Sequence, residues 1–179
     1  WALALNMLKD NRLIPASQTA VSFCDRIAYD DDYAGAAVSL VEGERLAALI
    51  GDHDVVFMKN HGVLVVGETV AQAYKRLYRL ERVCRNQILA MTTQRELAPL
   101  SEDVIKQVKS PVPHDRFSPA DRDRLYLDAM MRVLDRELRL RQLIGCLPNP
   151  KVRISRQPLF KISKHGVDVI RQSVAQVIA

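Results

Sequence analysis

The residues best suited to chemistry lie between Phe57 and Gly67, FMKNHGVLVVG, where His61 stands between Asn60 and Gly62 inside two apolar runs. An imidazole changes charge near neutrality and binds divalent metals when neutral, so His61 is a candidate metal ligand or acid/base group. Gly62 lets backbone approach closely, and Asn60 accepts a positive φ at low cost. Such a break suits the end of a strand, where the ligand sites of α/β sheets gather. It equally suits a histidine whose ring bonds a backbone carbonyl in a turn, and the tripeptide leaves both readings open. His53, His114 and His165 have no ligand spacing with His61 and read as surface or structural histidines. Cys24, Cys84 and Cys146 are odd in number and widely spaced. They form neither a zinc spacing nor a disulfide framework, and they point to a reducing cytoplasm.

Apolar, β-branched runs at Val55–Lys59 and Val63–Val66 predict two buried strands around the break, as a hairpin or as one bent strand. Before them, Ser39 and Glu42 have capping-box spacing, and Gly51 supplies a stop, so a helix is expected over Leu40–Ile50. After them, Thr69 and Gln72 repeat the box. Val70, Ala73, Leu77, Leu80, Cys84 and Ile88 then advance by threes and fours, the stripe of a helix packed on a core or along a seam. Trp1–Lys9 reads as a buried helix, and Thr19–Phe23 and Arg26–Tyr29 as short strands. A short helix is expected at Glu102–Val108. Another begins at Ser118-Pro119, with Ser as cap and Pro at the first helical position, and buries Leu127, Met131, Leu134 and Leu138. Beyond GCLPNP the basic stretch Lys151–Lys164 has no period, and Val167, Ile170, Val174 and Ile178 space out a final amphipathic helix.

With 179 residues, 48% of them hydrophobic and 26% charged, the chain has the content for one domain with a sizeable core. The net charge of +5 is modest, and the basic residues of Arg132–Arg141 alternate with acids and apolar residues, as on a solvated helix face. No apolar run approaches the roughly 18 residues of a membrane helix. Neither nucleic acid nor membrane is therefore expected as a partner. The first residue is Trp1 rather than Met, and residues before it are expected to be missing.

FMKNHGVLVVGETVAQAYKRLYRLERVC resembles the signature of the class II aldolase/adducin family: an apolar strand, Asn-His-Gly, a second apolar strand ending in Gly, and a helix with a Leu-Glu pair, here Leu80-Glu81. LIPASQTAVSF, VEGERLAALIGDHDVVF and YLDAMMRVLDR are similar to the family as well, so the resemblance covers about residues 1–140. It implies a three-layer α/β/α fold with a mostly antiparallel central sheet, incomplete at its start. The domain would occupy 1–143, with 144–179 an unassigned basic tail. It also implies that His61 is the last of three histidines holding a divalent metal, usually zinc, and that the other two, a His-x-His pair, and a catalytic Glu precede Trp1. In enzymatic members the metal polarises the oxygens of an enediolate as a C–C bond breaks or forms.

One departure stands out. The sugar-phosphate aldolases use a tyrosine soon after the connection that here reads Pro15-Ala16-Ser17-Gln18-Thr19, and the nearest tyrosines are Tyr29 and Tyr33. Gln18 is a candidate substrate contact there, or a turn hydrogen bond. Three expectations follow from the resemblance. The first is a metal-dependent lyase or epimerase acting on a small oxygenated, sugar-like or hydroxy/keto acid substrate, assembled as a cytoplasmic homotetramer. The second is a non-catalytic adducin-type interaction domain, and the third is an inactive truncated product.

Overall fold

The computed structural model describes residues 1–10, 12–32, 40–110 and 116–143, with side chains as far as Leu138. The Ser39 cap, Tyr33, His114, Cys146, His165 and the whole of the expected tail at 144–179 lie outside the described residues. The elements run α1 (Ala2–Asn6), α2 (Gln18–Val21), β1 (Ile27–Asp30), α3 (Leu40–Ile50), β2 (Val55–Met58), β3 (Gly62–Val65), α4 (Val70–Met91), α5 (Glu102–Lys109) and α6 (Pro119–Leu143).

The described sheet has the order β1-β2-β3. β1 and β2 pair in parallel from Ile27↔Val55 to Asp30↔Met58, because α3 returns the chain between them. β2 and β3 pair antiparallel from Val55↔Val65 to Met58↔Gly62, so the two apolar runs form a hairpin. The expectation of a mostly antiparallel sheet is thereby corrected for the described residues. The sheet is mixed, because a helical crossover joins one pair of strands and a tight turn the other.

Helices cover both faces, which explains why β2 is apolar at every position. Val55 and Phe57 join Ala2, Leu5, Leu80, Val83 and Cys84 in one core cluster, under α1 and α4. Val56 points the other way, against Ala28 and Ile50 under α3. All three β2 residues are fully buried. Each such side chain contributes about 1.5–3 kcal/mol relative to leaving it in water.

Thr19–Phe23 is not a strand. Ser17, extended at φ −149°, accepts a 3.3 Å hydrogen bond from the amide of Ala20 and caps the single turn α2. This local cap, together with burial of Ala20, Val21 and Phe23, outweighs the β preference of Thr19 and Val21.

α4 starts as its sequence predicts. Thr69 accepts from the amide of Gln72 at 3.1 Å, and the Gln72 side chain reaches back to the amide of Glu68 at 2.7 Å. A Cβ on Gly67 would stand 2.7 Å from the backbone nitrogen of Ala73, so the approach to α4 admits only glycine without a shift. The buried face holds Leu80, Val83, Cys84 and Gln87, while Val70 and Leu77 of the expected stripe are exposed. The reason is that α1 covers the later turns of α4. Gln87 fastens the connection after α1 by accepting from the amide of Ile14 at 2.8 Å and donating to the carbonyl of Arg12 at 2.9 Å. α6 meets the first half of α4 through Lys75–Asp123, 2.7 Å, and through the edge-on rings of Tyr78 and Tyr126. Met131 and Leu134, farther along α6, remain exposed.

Candidate functional site

β2 ends at Met58, and the chain reverses through Lys59, Asn60 and His61. The amide of His61 donates to the carbonyl of Met58 at 3.0 Å, closing the turn. Asn60 holds φ 59° and Gly62 φ 157°. Both are conformations that side-chain-bearing residues seldom take, Asn being the commonest exception in the left-handed region. The turn is gripped from behind by α1. Asn6, fully buried, donates from its side-chain amide to the carbonyls of Met58 and, at 2.8 Å, Gly62, so one NH₂ group ties together both sides of the hairpin mouth. With its base pinned, the turn presents His61 on the surface.

The neighbouring strand end is charged. The amide of Lys59 donates to the carbonyl of Asp30 at 2.9 Å, at the carboxyl end of β1. The buried Asp30 carboxylate receives both terminal nitrogens of Arg45, at 3.0 and 2.6 Å. Arg45 also holds Glu42, one turn earlier on α3, at 2.9 and 2.7 Å. These hydrogen bonds keep the Glu42 carboxyl below its ordinary value, with the charge of His61 adding a smaller effect of the same sign. Glu42 and Asp30 in turn raise the pKa of Arg45. His61 thus lies within electrostatic reach of a carboxylate kept ionised by a fixed guanidinium.

Gln18 opens α2 and is exposed. α2 packs on α4 and α5 and leads into the amino end of β1, whereas the His61 turn lies at the carboxyl ends of β1 and β2. Among the described residues no hydrogen bond joins Gln18 to that turn. His53 bonds the carbonyl of Ile50 through Nδ1 at 2.9 Å and finishes α3, a structural role. Tyr29 accepts from the amide of Leu13 at 3.0 Å and packs against Phe57; desolvation raises the pKa of its phenol.

Among the described residues no three His, Cys, Asp or Glu side chains converge as a metal-binding group. A catalytic zinc takes three protein ligands. With a single imidazole at the turn, the described residues do not by themselves fit the ion that the family resemblance implies.

Asn6, Asp30, Glu42 and Arg45 escaped the reading of the sequence as site residues. Asn6 carried a signal, since an amide among the apolar residues of ALALNML needs a partner once that helix is buried. The pairing of Arg45 with Asp30 carried none, because it depends on where α3 crosses β1.

Residues 1–88 match the family model described as class II aldolase and adducin N-terminal domain. The chain is 36% identical over 101 residues to an aldolase class 2 protein of Caulobacter vibrioides, covering 54% of this chain and 39% of that protein. It is 25% identical over 136 residues to human beta-adducin, covering 69% of this chain and 18% of adducin. A crystal structure of an aldolase II superfamily protein from Pseudomonas syringae superposes with a TM-score of 0.63 at 34% identity, over 76% of this chain and 52% of that one. The chain therefore spans about half or less of the length of these relatives.

Proposed function

Because residues 1–88 belong to the class II aldolase and adducin family, we propose that this chain is part of a lyase- or epimerase-type enzyme acting on a small oxygenated substrate, sugar-like or a hydroxy or keto acid. The observation that carries the reading is the Asn60-His61-Gly62 turn. It sits at the carboxyl ends of two parallel strands, is held by a buried Asn6 and presents an imidazole beside the charged cluster of Asp30, Glu42 and Arg45. Fixing a reactive side chain on a braced turn is what preorganised chemistry requires. His61 is proposed as one ligand of a divalent ion, zinc in the first instance, whose remaining ligands lie outside the described residues. Gln18 stays a proposed substrate contact only through the family resemblance.

The proposed assembly is a homotetramer with its sites between neighbouring copies. Exposed Trp1, Leu3 and Met7 on and beside α1, and Tyr74 and Tyr78 with Arg82 stacked over the Tyr78 ring, are the kinds of residue that interfaces bury. A cytoplasmic location is proposed from the free thiols of Cys24 and Cys84. No helix among the described residues is long and apolar enough to cross a membrane.

The test is His61→Ala in the complete protein, with metal content measured by elemental analysis and turnover measured on a panel of sugar phosphates and keto acids. Loss of both with the thermal midpoint nearly unchanged is expected, and a variant with full metal content refutes the ligand role. The second reading, a non-catalytic adducin-type interaction domain, is favoured by the 136-residue match to human beta-adducin. A complete wild-type protein that holds no metal and turns over none of the panel would establish that reading instead.

A further inference from the structure

α1 has five residues, far fewer than the ~12–15 at which a helix holds itself in water, so its place is set by what it touches. Its last residue makes the contact with the His61 turn. Besides donating from its side chain to the carbonyls of Met58 and Gly62, Asn6 accepts from the amide of Asn60 through its own carbonyl at 3.4 Å. Side chain and main chain of one residue thus meet the turn on Met58, Asn60 and Gly62, and any tilt of α1 moves all of these contacts together.

The other end of α1 is held from a distant part of the chain. Trp1, at the N-cap, supplies no side-chain acceptor, and the first turn contains no acidic residue. The amides that open a helix have no partner within it. Here they are met by Glu81 of α4. One carboxylate oxygen accepts from the amide of Ala2 at 3.0 Å, and the other from the backbone nitrogen of Trp1 at 2.7 Å. A carboxylate at this end also complements the helix dipole. Glu81 follows Leu80, which shares a buried cluster with Ala2 and Leu5, and Arg85, one turn on, lies over the Trp1 ring at 5.7 Å. A partly exposed ion pair between two side chains would contribute little. Glu81 differs in that it grips the backbone of another helix.

We propose that Glu81 is a positioning residue for the His61 turn: by capping the start of α1 from α4, it fixes the tilt at which Asn6 grips Met58, Asn60 and Gly62. Between the two ends the amide of Leu5 bonds the carbonyl of Trp1 at 2.9 Å and the amide of Met7 that of Leu3 at 3.0 Å. The helix is therefore a strut, ~6 Å from Ala2 to Asn6 at about 1.5 Å per residue. Without Glu81, Ala2 and Leu5 still pack on α4, so α1 stays docked but rocks, and the displacement arrives at His61. Reacting groups need placement to within about 0.5 Å, so a small tilt matters to chemistry there. That bearing on chemistry rests on the reading of His61 as a metal ligand. The positioning does not, and its test reads the turn without metal or turnover.

NMR of the complete protein, labelled with carbon-13 at histidine, is the direct test, with the His61 ring signal assigned by its absence in His61→Ala. Glu81→Ala should displace or broaden that signal and quicken hydrogen exchange of the Asn60 amide severalfold. Glu81→Gln keeps one acceptor oxygen for two donors and should perturb both less. Val21→Ala truncates a fully buried side chain in α2, at the amino end of β1, and should lower stability while leaving both readouts in place. In an Asn6→Ala background Glu81→Ala should act more weakly, because the side-chain links to the turn are already cut. The proposal is overturned by readouts that Glu81→Ala leaves unmoved, by an effect of the same size in Val21→Ala, or by an effect of Glu81→Ala undiminished without Asn6. Should Glu81→Ala fail to fold, Glu81→Gln takes its place in the same comparisons, and a His61 signal unmoved in that variant overturns the assignment.

Discussion

Asn6 donates a 2.8 Å hydrogen bond to the carbonyl of Gly62 across 56 residues of sequence. The same amide also meets the carbonyl of Met58, so a single buried side chain in α1 determines where the His61 turn sits. Asn6→Ala leaves both carbonyls without that donor and should cost about 1–3 kcal/mol of stability, the range for unsatisfied buried polar groups. Urea denaturation should show the loss. The His61 ring resonances should broaden in the variant, which a purely global loss of stability would not produce under native conditions.

Asn60 lies at φ 59°. Asn60→Gly should leave stability within about 0.5 kcal/mol, since glycine takes this conformation freely. Asn60→Val should cost ~1–2 kcal/mol, the penalty for a side chain that does not tolerate the left-handed region. Thermal denaturation of the pair checks this, and equal midpoints would mean that the turn relaxes.

The Glu42 carboxyl is held below its ordinary value of 4.5, first by its hydrogen bonds to Arg45 and then by the charge of Arg45. A carboxyl depressed in the folded state adds stability above its unfolded value, and that contribution is lost as pH falls through the folded value. The contribution is small because Glu42 is exposed to solvent screening. Titration of the Glu42 carboxyl carbon by NMR should give a midpoint below 4.5. Arg45→Gln should move that midpoint upward, and an unmoved midpoint would mean that Arg45 does not set it.

Cys84 is fully buried, and desolvation pushes its thiol up to about 12, whereas Cys24 is partly exposed and raised less. The thiolate is the reactive form. Iodoacetamide at pH 8 should therefore modify Cys24 in the native protein and reach Cys84 only after denaturation. Peptide mapping decides the order, and early labelling of Cys84 would show that α1 opens from α4.

Much of the local structure was legible in the residues alone. The helix from Val70 and the Ser118 start of α6 rest on their caps, and the helix over Leu40–Ile50 and the strand pair around Asn60-His61-Gly62 on apolar period and backbone preference. These are interactions between residues a few positions apart, and the family signature around His61 is local in the same way. The failures came where distant segments compete. Thr19–Phe23 has strand-forming residues, yet a cap at Ser17 and burial against α4 and α5 made it a helical turn. The direction of β1 relative to β2 depended on α3 crossing over, which strand periodicity does not encode. Leu77 fits the apolar stripe of α4 but is exposed, because α1 covers the later turns. The site divided along the same line. The sequence determined that His61 stands at a break between strands. Only the tertiary structure brought Asn6 beneath that break and Arg45 onto Asp30, because those hydrogen bonds exist only once α1 and α3 have packed on the sheet.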